Sequence, residues 1–304
     1  MVAYTLASES EFRNWLATTS YSSSWTGDAA SIRRLLEAST REIEAYCGNQ
    51  GSFGPITATL EFDEGSGTLL DDPRDVLWNG LYPSRMSLPW LVSVTSATLY
   101  SGTDRSTSTA LVENTDYVLT PYSGFPVGFA SPFIGMKYKN AGSNTDPFSE
   151  VGQKVLSIVG TWGWQNNKTS DTTLNGAVTS TTTKTIVTTD ASNLSAAQTI
   201  LVNSETMYIE SISSHTLTVE RGVAGTTAAT HANTDQVYVF TYPATLTQTC
   251  LDLSRLSWVD RVGGLQDEIT IAGATFSSVQ SERRTILHNI DSFATHSATA
   301  GVTF

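Results

Sequence analysis

The sequence predicts an α+β protein, a helical core that carries antiparallel β elements and has a small all-β barrel or sandwich inserted into it. Three observations lead there. Two segments, 28–47 and 243–262, share one length and one apolar spacing, the i, i+3, i+4, i+7 pattern of an amphipathic helix. The chain between them turns to short β-rich runs broken by Gly, Pro, Asp and Ser. A stretch almost free of large apolar residues, NNKTSDTTLNGAVTSTT at 166–182, then splits those runs into two sets and reads as a linker. The expected division is a core made of 1–165 and 241–304, with 166–240 as a self-contained insertion.

Taken in order, Ser8-Glu9-Ser10-Glu11 has the spacing of a capping box and opens a short helix with Phe12, Trp15 and Leu16 on one side. In 28–47, Ile32, Leu35, Leu36, Ile43, Tyr46 and Cys47 form the apolar stripe, Asp28 caps the start and Gly48 ends it. Strands follow at 57–62, 90–100, 116–120, 134–138 and 154–162, with a bulge expected inside WLVSVTSATLY, where Leu91 falls out of phase with Val92 and Val94. The inserted unit carries strands at 184–190, 199–203, 206–212, 216–220 and 236–242. Pro243 starts the second long helix, with Leu246, Cys250, Leu253 and Leu256 inward and Gly263-Gly264 as its stop. Pairing it with 28–47 places Cys47 and Cys250 in one core. A strand pair at 269–276, a helix from Ser281 to Phe293 and a Ser/Thr/Ala tail complete the chain.

At 304 residues the chain is long enough for two compact units, and a net charge of −12 with only 15% charged residues argues against a sequence-independent nucleic-acid binder. The two cysteines fit buried apolar positions better than a disulfide framework. The opening MVAYTLASESEF lacks the basic and apolar regions of a signal peptide, and no run approaches a membrane span. The four histidines, His215, His231, His288 and His296, show no metal-ligand spacing, and no Gly-x-Ser-x-Gly elbow occurs. The acid pairs Asp63-Glu64 and Asp71-Asp72 lack the EF-hand order. No catalytic residue, metal or cofactor is therefore expected. VERGVAGTTAATH at 219–231 has glycines in the manner of a phosphate cradle, yet no Lys follows Gly225 and β sequence lies on both sides. It reads as a tight turn between strands, with His231 a turn or surface residue.

The order of elements resembles the gp6-like adaptor family of phage head-tail connectors. The resemblance rests on IRRLLEASTREIEAYCG at 32–48, LPWLVSVTSATLYSG at 88–102, DYVLTPYSG at 116–124, VLSIVGTWGW at 155–164 and the Pro-led helix YPATLTQTCLDLSRLSWVDR at 242–261. The block 166–240 interrupts that order, and is itself similar to small β modules of phage virion proteins that run into an Arg-Gly-x-x-Gly-Thr-Thr-x-x-x-His loop, here Arg221 to His231. The resemblance implies a structural virion protein, not an enzyme. It implies a ring, usually dodecameric, below the portal at the head-tail junction, assembled in the host cytoplasm. Such a ring extends a channel through which DNA passes without specific binding and offers a platform to the next neck or tail protein.

Two sets of contact residues follow as expectations. Arg283, Arg284, Ile286, Ile290, Phe293 and Phe304 form a C-terminal arm toward the portal, the alternative being an ordinary terminal helix that closes the chain's own core. Trp162 and Trp164, before a turn, are candidates for subunit contacts. The same aromatics, with Tyr122 and Phe125, support the rival reading of a carbohydrate-binding or host-attachment protein, since exposed aromatic faces stack on sugars.

Overall fold

The computed structural model describes residues 4–17, 29–47, 52–62, 85–101, 105–120, 132–138, 156–263, 269–271, 274–276 and 278–293. These residues form two compact units, one built from Met1–Asn49 with Asn167–Thr295 and the other containing Gln50–Asn166. The expected helical core with a β insert is corrected on this point. The described residues hold two six-stranded antiparallel sheets, a two-stranded pair of Ile269–Ile271 with Ala274–Phe276 and four helices, and the helices belong to the same unit as the 167–240 strands.

The helical part of the first unit comprises α1 (Glu9–Ala17), α2 (Ala29–Tyr46), α3 (Ala244–Gly263) and α4 (Ser278–His288). As the shared stripe predicts, α2 packs against α3: Ile32, Leu36 and Ile43 meet a face carrying Leu246, Cys250 and Leu253, all fully buried. Cys250 Sγ lies 3.7 Å from both Thr40 Oγ1 and the Leu36 carbonyl, and Ser254 Oγ donates to Ser39 Oγ at 2.9 Å. Burial pushes the Cys250 thiol up to about 12, so it behaves as a small apolar group. Leu35 is only half-buried, because Leu36 takes the inward position.

What ties these helices to the β strands is the segment before α1. The Leu6 amide donates to Thr40 Oγ1 at 3.1 Å and the Leu6 carbonyl accepts from Thr247 Oγ1 at 3.0 Å. On its other side the Glu9 amide donates to the Ala196 carbonyl at 3.0 Å, and Thr5 Oγ1 to that of Ala197 at 2.5 Å. The capping box forms, with the Glu11 amide donating to Ser8 Oγ at 3.3 Å and the Ser8 amide to Glu11 Oε2 at 2.7 Å.

The second unit holds β1 (Ile56–Phe62), β2 (Arg85–Ser101), β3 (Thr107–Leu111), β4 (Tyr117–Thr120), β5 (Phe133–Tyr138) and β6 (Leu156–Trp162), in spatial order β1-β6-β2-β5-β4 with β3 also on β2. The predicted bulge in β2 is two bulges against β6, at Leu91/Ser93 and Val94/Ser96. They change the inward spacing from two to three, so that Leu91, Val94 and Ala97 all face the core and Leu91 is fully buried, not out of phase. Gly160 sits opposite Val94, and a Cβ there would lie 2.4 Å from the Ser93 carbonyl oxygen that the bulge pushes toward it.

In the first unit, β7 (Lys168–Thr173), β8 (Thr185–Val187), β9 (Thr199–Val202), β10 (Glu205–Ser213), β11 (Thr216–Glu220) and β12 (Gln236–Phe240) run in the order β7-β12-β9-β10-β11-β8. The expected linker at 166–182 is therefore also corrected. Lys168–Thr173 is a strand, and polar threonines suit it because only one side faces the core. The ends of the sheet meet through the Leu174–Thr188 bridge and the Thr189 amide, which donates to the Thr173 carbonyl at 2.8 Å, closing a small barrel. Ile186, Ile200, Val202, Met207, Ile209, Leu217, Val219 and Val237 fill it.

Candidate functional site

The densest group of chemistry-bearing side chains lies at the end of this barrel, where β10 and β11 lead into the 222–231 loop. Glu205 opens β10 and is fully buried. Its Oε1 accepts from Arg221 Nε at 2.6 Å and the Gly222 amide at 3.0 Å. Its Oε2 accepts from Arg221 Nη2 at 2.7 Å, the Ala229 amide at 2.9 Å and His231 Nε2 at 2.8 Å. The arginine fork is thus bidentate, and its remaining N–H groups donate to the carbonyls of Thr183 at 2.9 Å and Ala229 at 2.5 Å.

Local backbone makes this convergence possible. Gly222 takes φ 61° and Gly225 φ 75°, and a Cβ on Gly222 would come within 3.0 Å of the Ala228 amide nitrogen. Thr226 Oγ1 accepts from the Thr206 amide at 3.0 Å and donates to the Val223 carbonyl at 2.8 Å, stapling the loop to β10. The expectation of a tight turn is met, but His231 is not a surface residue. Its side chain is fully enclosed, and its backbone pairs with Val178 across the barrel mouth.

Burial pushes the Glu205 carboxyl up, and the hydrogen bonds from Arg221, Ala229 and His231, with the Arg221 charge, outweigh it and hold the group below the ordinary carboxylate range. Such a carboxylate has no lone pair to spare. With Glu205 and His231 sealed from solvent and Arg221 only 5% exposed, no substrate reaches an atom of the cluster. Its chemistry is that of a buried ion pair that fixes a loop, not of an acid or base.

The residues expected to meet partners are placed as follows. Ile286 and Ile290 are buried within the chain's own first unit, which corrects their assignment to a partner-facing stripe. Arg283 is also engaged internally, donating to Glu42 at 2.5 Å and to Ser257 Oγ at 3.1 Å, while Glu282 pairs with Arg255 at 2.7 Å. Asp291, just past α4, accepts from the Tyr46 hydroxyl, an interaction that pushes this tyrosine up to about 12. Arg284 is exposed, Phe293 is half-buried, and Phe304 lies outside the described residues.

Trp162 is likewise interior: it is 5% exposed and its Nε1 donates to the Ala58 carbonyl at 3.0 Å. Half-buried Trp164 packs edge-on to Trp90 with ring centroids 5.0 Å apart, and lies 6.3 Å from Phe53. Neither face of Trp162 is open to a sugar or a neighbouring subunit. Tyr122, Phe125 and the acid pairs at 63–64 and 71–72 lie outside the described residues.

One open cavity of about 320 Å³ lies between the segment before α1 and the barrel, lined in part by Thr5, Ser8, Glu11, Asp171 and Gln198. The Glu11 carboxylate there is committed to the Ser8 amide and hydroxyl. Among the described residues no group of three or more His, Cys, Asp or Glu is placed to hold a metal, and no helix is long and apolar enough to cross a membrane. Comparison with known proteins finds no matching family model, no matching curated protein and no matching solved structure.

Proposed function

We propose that the chain is a structural virion protein, a head-to-tail connector that forms a ring below the portal, extends the DNA channel and carries the next neck or tail protein. The observation that supports this best is the pairing of α2 with α3 across the long β-rich stretch between them. Those two helices are the Cys-Gly-ended and Pro-led segments on which the resemblance to gp6-like adaptors rests, and their close packing gives that order of motifs a physical reason. The acidic balance of −12 suits a channel wall that lets phosphates slide past. In this reading the barrel is an accessory module whose loop is locked by the Glu205–Arg221 pair.

The carbohydrate-binding rival loses its support at Trp162, whose ring is buried in its own sheet. The test is electron microscopy of the purified full chain, alone and mixed with portal rings. Rings seated coaxially on portals are the expected result. A protein that stays monomeric and leaves portals undecorated overturns the proposal.

A further inference from the structure

The two sheets treat their edges in opposite ways. The barrel has none, since β7 and β8 meet through the Leu174–Thr188 bridge. In the other sheet β1 pairs only with β6, β3 only with β2 and β4 only with β5 among the described strands; Tyr117, Val118 and Leu119 of β4 are buried, so the exposed edges are β1 on one side and β3 on the other. A free edge presents N–H and C=O groups to any other strand, and proteins that stay monomeric guard it with Lys, Pro, inward charge or a bulge.

Among the described residues neither of these two edges is guarded. The β3 strand is Thr-Ser-Thr-Ala-Leu, uncharged, with Thr107 to Ala110 all exposed, and Val112 just beyond it is 56% exposed. The register of β1 on β6 runs unbroken from Ile56 to Phe62, and its one charge, Glu61, is neutralised by Arg105 at 2.9 Å. Several apolar residues of this sheet that remain only partly covered lie on these strands: Ala58, Leu60 and Phe62 on β1, and Leu111 on β3. A further strand at either edge extends the core over them.

We infer that β1 of one copy pairs with β3 of the next, so that this sheet continues from subunit to subunit around the proposed ring; the inference rests on the connector reading. A second copy is the occupant because each chain carries one of both edges. Unlike edges on opposite sides of a sheet make a head-to-tail contact, the kind that closes into a ring rather than a dimer. Strand direction agrees: β1 and β2 are both antiparallel to β6, and β3 is antiparallel to β2, so continuing the sheet sets β1 against the next β3 in antiparallel fashion. Charge agrees as well. Copies that each carry −12 repel, and these neutral, threonine-rich edges are where they approach without facing like charges.

The experiment places cysteines on the outward face of both edges. Thr57 and Thr59 lie on the face of β1 that carries Glu61, and Ser108 and Ala110 face the same way, because Ala110 pairs with Thr98 and Thr98 with Ser157, the partner of Glu61. Four double variants combine Thr57→Cys or Thr59→Cys with Ser108→Cys or Ala110→Cys. The native Cys47 and Cys250 are buried and stay out of the reaction. Oxidation of assembled rings is expected to give a ladder of disulfide-linked multimers in at least one register, with single-cysteine variants stopping at dimers or monomers. The variant Ala110→Lys, which guards the β3 edge, is expected to abolish rings while leaving the circular dichroism spectrum unchanged. Rings that form normally with Ala110→Lys, or that give no ladder in any of the four variants, overturn the edge contact and leave the connector reading standing. Failure of the native chain to form rings, alone or with portals, overturns the connector reading itself.

Discussion

Replacing Arg221 with Met keeps the length and apolar stem of the side chain and removes the fork that neutralises Glu205. The carboxylate is fully buried and the guanidinium 5% exposed, so water does not take over the missing role. Breaking a buried pair by removing one partner costs about 3–5 kcal/mol. The contacts of Arg221 with the Thr183 and Ala229 carbonyls are lost too, while the Gly222, Ala229 and His231 donors remain and soften the loss. The expected cost stays at about 3–5 kcal/mol, and it falls on the barrel. Hydrogen exchange reads it locally: amides of β9 to β11 lose two to three decades of protection, at about 1.4 kcal/mol per decade, while β6 in the other unit serves as the internal control.

Acidity separates charge burial from lost packing. In the native chain the Glu205 carboxyl sits below its ordinary value of about 4.3, so its contribution is present above that pH and drains away as pH falls through the folded value. Without Arg221 the carboxyl moves upward and the folded state gains from protonation. The difference between variant and native protein therefore shrinks on acidification. A cost under about 1 kcal/mol at neutral pH, or a gap that does not change between pH 7 and pH 4, refutes the reasoning, since a paired, desolvated charge produces both effects.

Further outcomes are expected elsewhere. Gly160→Ala pushes a Cβ onto the Ser93 carbonyl oxygen at 2.4 Å and costs about 1–3 kcal/mol in urea unfolding, read on the tryptophans of that sheet. Leu253→Ala, at a fully buried site between α3 and α2, costs about 2–5 kcal/mol, and half-buried Leu35→Ala costs clearly less; equal costs contradict the packing. Arg283→Ala, at a partly exposed pair with Glu42, changes thermal stability by about 1 kcal/mol or less. Joining Gln165 to Tyr242 in place of the barrel removes the Ala196 and Ala197 carbonyls that anchor the segment before α1, and is expected to give a molten helical remainder by near-UV circular dichroism.

Periodicity made the long helices legible, because a stripe that recurs over many residues survives errors of one or two positions. The same feature located most strands to within a residue or two of their ends. What it did not show was partnership. Lys168–Thr173 looked like a linker because threonine and serine carry no apolar alternation, yet a strand of a closed barrel needs only a backbone that pairs and one or two inward residues. The C-terminal helix had the stripe of a docking arm, and Ile286 and Ile290 make it a closing helix instead. An amphipathic stripe states that something covers it and leaves open whether that something is the same chain.

The Glu205–Arg221 pair was hidden for a different reason, a matter of one residue. Strands read as 206–212 and 216–220 stop just short of both members, leaving them in loops. Extending the hairpin outward from its two-residue turn at Ser214-His215 sets Arg221 opposite Tyr208, with its side chain on the face away from Met207 and Glu205. The bulge between Ile209 and Ser211 shifts that count, so that Tyr208 pairs with Glu220 and the next position sets Arg221 across from Met207. Met207 is fully buried, and Glu205 lies two residues from it on the same side of the strand, a diagonal neighbour of Arg221. A one-residue slip in register exchanges the two faces of a strand, and here it separates two solvated charges from a buried ion pair. The inward arginine and the inward glutamate are each untenable alone in the barrel, so the bulge that brings them together on one face is part of what the Arg-Gly-x-x-Gly loop requires in order to fold.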